Sequence, residues 1–312
     1  MTALLLLPLL LPLAAPVLAR RTLDRLAPVA ALWVITVCAL VLAGCSLAAL
    51  GVFVLTGLLK LPVFAALGEL VHPLPTAPDL VVLPAAAVSV AALAVCAGMF
   101  ARTALREIRA FRGARTEARR RPAAGDLCVV DSPHPDAYAL PGRPHRIVVT
   151  TAMLRSLDAA EREALFAHER AHNRGGHHYF LAAAELAAHC HPALRPVRAT
   201  IRLAVERAAD EAAAAAVGDR RLTARAIARA ALAGQDARSA RPARPQFAPA
   251  VTSGPVPHRV KALLAAPRAP RRATAWIAAL LLACTTASFA ASATGMLDVH
   301  HRVEIAQGEE SR

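Results

Sequence analysis

Long uncharged runs alternate with short polar connections along this chain, and four of them are long enough to cross a membrane as helices. A helix rises 1.5 Å per residue, so about 20 apolar residues span about 30 Å of hydrocarbon. Residues 1–19, 29–59, 80–100 and 273–297 meet that requirement. Between the third and fourth runs the pattern breaks into shorter segments. Residues 127–130 and 146–150 are brief β-branched runs, with 137–140 as a third candidate strand, and Ser132-Pro133-His134-Pro135 and Pro141-Gly142-Arg143-Pro144 divide them as turns. A small sheet is expected ahead of several helices. Asp158 with Glu161 three residues on has the spacing of a capping box, which predicts a helix from Ala159 to about Asn173, stopped by Gly175-Gly176. The apolar run 180–188 is too short to span and predicts a helix packed on the domain or dipping into the interface, broken by Pro192 and Pro196. Further helices are expected over 198–217, closed by Gly218, and over 223–233, followed by a Pro-rich loop over 235–257.

Composition sharpens this outline. Hydrophobic residues make up 56% of the 312, charged ones 19%, and mean hydropathy is +0.43, which excludes an ordinary soluble protein. Aromatic content of 4% excludes a β-barrel with aromatic girdles. The expectation is a mainly α membrane protein with a three-helix membrane region over 1–100, a domain over 101–272, a fourth span over 273–297 and a short tail over 298–312. The first span also reads as a signal peptide ending at Ala19, but no Lys or Arg precedes its apolar run, and Pro8, Pro12 and Pro16 interrupt it.

The net charge of +14 would suggest nucleic acid in a soluble protein. Position changes that reading. Arg20, Arg21 and Arg25 follow the first span, and Arg102, Arg106, Arg109, Arg112, Arg115, Arg119, Arg120 and Arg121 follow the third, whereas the remaining segments, with Glu69 and Asp79 or with Asp298, Glu304, Glu309 and Glu310, are weakly acidic. The positive-inside rule then places the 101–272 domain in the cytoplasm and the N-terminus and tail outside. The bilayer is the expected partner of the 102–121 Arg repeat, as a helix along anionic headgroups, and no direct contact with nucleic acid is expected. Six cysteines without a C-x-x-C pair, four of them inside apolar runs, argue against a disulfide framework.

The chemistry sits in His168-Glu169-Arg170-Ala171-His172. Residues four apart share a helical face, so both imidazoles can ligate one metal ion while Glu169 presents a carboxylate as general base. A third ligand is supplied by Glu206, and Asp210, one turn further on, is placed to orient a ligating histidine. With 12 histidines in the chain, the first pattern is expected by chance about 0.02 times, so coincidence explains it poorly. His177 and His178 follow the Gly pair and could touch the site, but read first as loop histidines near the interface. His189, Cys190 and His191 could bind a soft metal but are not needed for zinc, and Glu185 either pairs with an Arg of the domain or faces water.

These motifs, with the turn Tyr138-Ala139-Leu140-Pro141-Gly142 and the strand Ile147-Val148-Val149-Thr150-Thr151 leading to Met153-Leu154, resemble integral-membrane gluzincins. Two groups compete: the BlaR/MecR-type membrane metallopeptidases and the prenyl-protease and heat-shock membrane proteases. The four spans and the block Glu206-Arg207-Ala208-Ala209-Asp210-Glu211-Ala212-Ala213 look closest to short BlaR/MecR-type forms, without the penicillin-binding sensor domain. Arg259-Val260 resembles the end of a segment of the prenyl-protease relatives, with Gly254 where their histidine stands, and suggests a substrate-binding role for Arg259. The resemblance implies a zincin-like cytoplasmic domain of helices plus a small sheet, with one zinc per chain on His168, His172 and Glu206 and Glu169 as the base. The strand Ile147, Val148, Val149 and Thr150 is expected to hold an extended substrate. The implied activity is peptide-bond hydrolysis at the cytoplasmic membrane face in regulatory proteolysis, with a cytoplasmic repressor or the chain itself as substrate. The alternatives are membrane-protein quality control and a non-catalytic scaffold held together by its metal.

Overall fold

The computed structural model describes residues 2–67, 78–121, 123–235, 247–248, 255–265 and 275–307. The first apolar run folds as α1 (Thr2–Leu10), a 3-10 turn (Leu11–Ala14) and α2 (Ala15–Arg25). Its prolines account for the break, because each removes a backbone donor from the helix ladder. α3 (Pro28–Leu58) follows as one uninterrupted helix, and α4 (Pro62–Leu67) is a short turn after it. Four helices among the described residues are long and apolar enough to cross a membrane, at Leu5–Arg25, Pro28–Leu58, Asp79–Arg120 and Ala279–Ala306.

The third of these departs from expectation. α5 (Asp79–Arg120) is a single helix of 42 residues, about 63 Å long at 1.5 Å per residue, so the third span and the Arg repeat share one axis. No proline lies between Phe100 and Arg120 to turn the chain, and the repeat continues the axis of the apolar run. The last helix, α12 (Ala275–Ala306), likewise runs on past Leu297 into the expected tail.

The sheet has the three expected strands and one more: β1 (Ala123–Ala124), β2 (Leu127–Val130), β3 (Ala137–Leu140) and β4 (Arg146–Thr150). Their spatial order is β1-β2-β4-β3, with β2 parallel to β4 and β3 antiparallel to it. Then come α6 (Thr151–Ser156), α7 (Ala159–Arg174), α8 (His177–Cys190), a 3-10 turn (Pro192–Leu194), α9 (Arg195–Val217), α10 (Arg220–Gln235) and α11 (Val256–Leu264). The capping box forms as the spacing requires: Asp158 accepts from the Glu161 amide at 2.9 Å, and Glu161 accepts from the Asp158 amide at 3.0 Å. Most of the Pro-rich loop expected over 235–257, including Gly254, lies outside the described residues, as do Glu69, Glu309 and Glu310.

The principal core crosses the boundary drawn between spans and domain. Ala15, Ala19 and Leu23 of α2 and Leu32, Ile35, Ala39 and Leu42 of α3 pack with Leu181 and Ala184 of α8 and with Val197, Ile201, Ala204 and Val205 of α9. Ala15, Ala19 and Ala39 are the small residues that α2 and α3 bring to this core. A second core gathers Val149, Met153, Leu165, Ala214, Ile227 and Leu263 beneath the sheet. α7 and α9 lie between these two cores, and this fixes where their polar faces meet.

Candidate metal centre

α7 and α9 pack against each other and direct His168, Glu169, His172, Glu206 and Asp210 inward, each no more than 2% exposed. Nε2 of His168 lies 3.0 Å from Nε2 of His172, and Oε2 of Glu206 lies 3.6 Å from the first and 3.9 Å from the second. A tetrahedral zinc with ligands at about 2.0–2.1 Å separates its donor atoms by about 3.4 Å, so this triangle has the right size and donor chemistry. Among the described residues it is the group of such side chains close enough to hold an ion. Charge points the same way. Glu169, Glu206 and Asp210 bring three buried carboxyl groups against the guanidinium of Arg259, a formal sum of −2 that a dication would neutralise.

Each of the two histidines has a polar neighbour close to its Nδ1. Nδ1 of His168 lies 3.0 Å from Oδ1 of Asp210, the orienting contact expected from the E-x-x-x-D spacing. Burial works against a charged ring at His168, but Asp210 and Glu206 outweigh it and push its pKa up to about 9. Burial, reinforced by the electrostatic influence of His168, His177 and Arg259, holds His172 well below the usual histidine range.

Arg259 is the residue that sequence reasoning undervalued. Fully buried on α11, it donates to both oxygens of Asp210, from Nε at 2.8 Å and Nη2 at 2.6 Å, and its Nη1 lies 3.1 Å from Oε2 of Glu206. Burial raises the Asp210 pKa, but the charge and hydrogen bonds of Arg259 prevail and bring it to about 2. In turn Asp210 and Glu206 overcome the burial of Arg259 and raise its pKa. The residue holds the ligand set in place, through planar bidentate geometry that lysine could not reproduce.

His177 was also undervalued. It opens α8 with its ring turned back to the site, Nδ1 at 2.8 Å from Nδ1 of His172. The other histidines are engaged elsewhere: His189 with Thr103 at 3.1 Å, and His191 with the Leu9 carbonyl at 3.1 Å, while Glu185 pairs with Arg198 at 2.8 Å.

The strand Ile147, Val148, Val149 and Thr150 requires a correction. It belongs to β4, which is bonded to β2 along one side and to β3 along the other, so it has no free edge to offer a peptide. Among the described residues the free edge on that side belongs to β3, which also packs on α7. β4 instead is tied to α7, through the Asn173 side chain donating to the Arg146 carbonyl at 3.1 Å.

Residues 109–193 match the model of Peptidase family M48. The matched stretch takes in the sheet, α7 with His168, Glu169 and His172, and α8 with His177, and it ends before Glu206. No curated protein and no solved structure matches the chain. The BlaR/MecR-type affiliation is not confirmed. Covering just over a quarter of the 312 residues, the match supports a likeness to the M48 metallopeptidases over that stretch.

Proposed function

We propose that the protein is a zinc-dependent endopeptidase of the membrane, with its active site on the cytoplasmic side, where the helices carrying the metal ligands pack on the membrane helices. The observation that carries this reading is the convergence of His168, His172 and Glu206 beside the fully buried Glu169. Zinc held there supplies Lewis acidity, lowering the pKa of water from about 15.7 towards 7 and polarising the scissile carbonyl. Glu169 takes the proton of the attacking water and delivers it to the departing amine. Asp210 and Arg259 keep His168 and Glu206 in position, and the main chain of β3 is the edge along which an extended substrate adds as a further strand. Burial of the ligands and of Glu169 describes a closed state, so substrate entry requires that cover to open.

A scaffold role is less well supported. A structural zinc has a closed four-ligand shell and no use for an interior carboxylate beside it, whereas three donors converge among the described residues. Cytoplasmic orientation is supported by the Arg residues after the first and third spans. Regulatory proteolysis would show as one partner cut at one site, and quality control as many substrates cut at many sites.

Chelation tests the reading. The protein purified in detergent should cleave an unfolded protein, lose that activity on removal of zinc and recover it with one equivalent of the ion. Cleavage that persists in the metal-free protein would remove the ligand set from the mechanism.

A further inference from the structure

His177 has no part in the ligand set, yet it is built into the centre. The chain leaves α7 through Gly175 and Gly176, and Gly176 takes a left-handed conformation (φ +59°) that turns α8 back toward α7. A β-carbon on Gly175 would lie 2.6 Å from Nε2 of His177, so the absence of a side chain there lets the ring reach His172. The ring is 6% exposed and stands edge-on to His172, with centroids 4.9 Å apart. Phe180 lies on its far side at 6.4 Å and stacks edge-on with Trp33 of α3 at 4.9 Å, so a membrane helix buttresses it.

We propose that His177 is a positioning residue that fixes the tautomer and orientation of the zinc ligand His172, as Asp210 does for His168. A zinc ion on Nε2 of His172 needs the lone pair of that nitrogen, so the ring proton sits on Nδ1. At 2.8 Å the group that receives it is Nδ1 of His177. Nδ1 of His177 is then the acceptor, and its own proton lies on Nε2, facing Gly175. A neutral imidazole in this place, where His168 has a carboxylate, adds no further negative charge to a site that already holds three carboxyl groups.

The inference rests on the metallopeptidase reading, and metal retention separates the two. Zinc content and loss of zinc to a competing chelator are measured on the full chain in detergent for wild type, His177→Leu, His177→Asn and Gly175→Ala, together with the absorption of the cobalt-substituted forms. Removing such an outer hydrogen-bond partner costs about 10–100-fold in metal affinity. His177→Leu should show that loss and an altered cobalt spectrum, and kcat should fall with KM unchanged. The Asn side chain offers an oxygen near the place of Nδ1, so His177→Asn should recover most of the affinity and the wild-type spectrum. Gly175→Ala, which leaves His177 intact but displaces its ring, should fall between them and decides the matter if the Leu variant does not fold. Zinc retention and spectra equal to wild type in His177→Leu and Gly175→Ala would overturn the proposal, as would equal losses in the Leu and Asn variants, which would indicate packing alone. If the wild type itself bound neither ion, the metallopeptidase reading would fall and this inference with it.

Discussion

Along one face of α9, Val197, Ile201, Ala204 and Val205 pack on α2, α3 and α8 without a charge among them; along the opposite face, Glu206 and Asp210 meet His168, His172 and Arg259. Both seams are dry, but they hold together differently. The apolar seam is non-directional, and its strength follows the area removed from water, so one altered side chain costs its own contacts and little else. The charged seam is stable only as a complete set, because each buried ion depends on partners that are themselves buried ions. One helix therefore carries its packing on the long apolar helices and its polar cluster on separate faces, and damage to either should be distinguishable from damage to the other.

The largest effect is expected at the charged seam. Arg259→Met leaves Asp210 and Glu206 without their cation and should destabilise the metal-free protein by about 3–5 kcal/mol, read from thermal unfolding in detergent. Arg259→Lys should recover only part of this, since an ammonium restores the charge without the fork. At the apolar seam, Ile201→Ala should cost about 2–5 kcal/mol through the cavity it opens while zinc content stays at the wild-type value. Loss of zinc in that variant would show that the two faces are not independent. The smallest effect is expected at the rim, where Arg170 of α7 donates to both oxygens of Asp126, at 2.7 and 2.9 Å, and the hydrogen bond from Arg170 holds the carboxyl below its usual range. A carboxylate with a depressed folded pKa stabilises the fold above its unfolded pKa of about 3.9 and ceases to do so as the pH falls through the folded value. Asp126→Asn should therefore cost about 0.2–1 kcal/mol at pH 7 in this half-exposed bridge, and the difference from wild type should close as the pH drops below about 3.9.

The sequence-local part of the charged seam was legible in the chain, whereas the apolar seam was not, because the sequence pattern sets 198–217 in a domain apart from the spans. Uncharged length marked the candidate spans, short β-branched-rich runs marked β2 and β4, the turns on either side of 137–140 marked β3, and His168, His172, Glu206 and Asp210 stood out because four-residue spacing places side chains on one helical face. What was not legible depended on folding between distant segments. β4 passed for an edge because strand order is set by pairing over distance, and β3, though earlier in the chain, closes its outer side. Arg259 is 49 residues from Asp210, on a short helix after a Pro-rich stretch, and no local pattern announces the pairing. His177 read as a loop residue because Gly175-Gly176 signals a helix stop, and only the positive φ of Gly176 shows that the stop is also a turn back to the site.

The central claim is that Glu169 moves protons beside a zinc ion that it does not hold. Cleavage of an unfolded protein and zinc content should be measured together on wild type and Glu169→Gln, both purified in detergent. The account predicts one zinc in each protein and a fall in the cleavage rate of about 10²–10⁴-fold in the variant, the usual worth of a general acid–base group. Equal cleavage by the two proteins, each with its zinc in place, would contradict it.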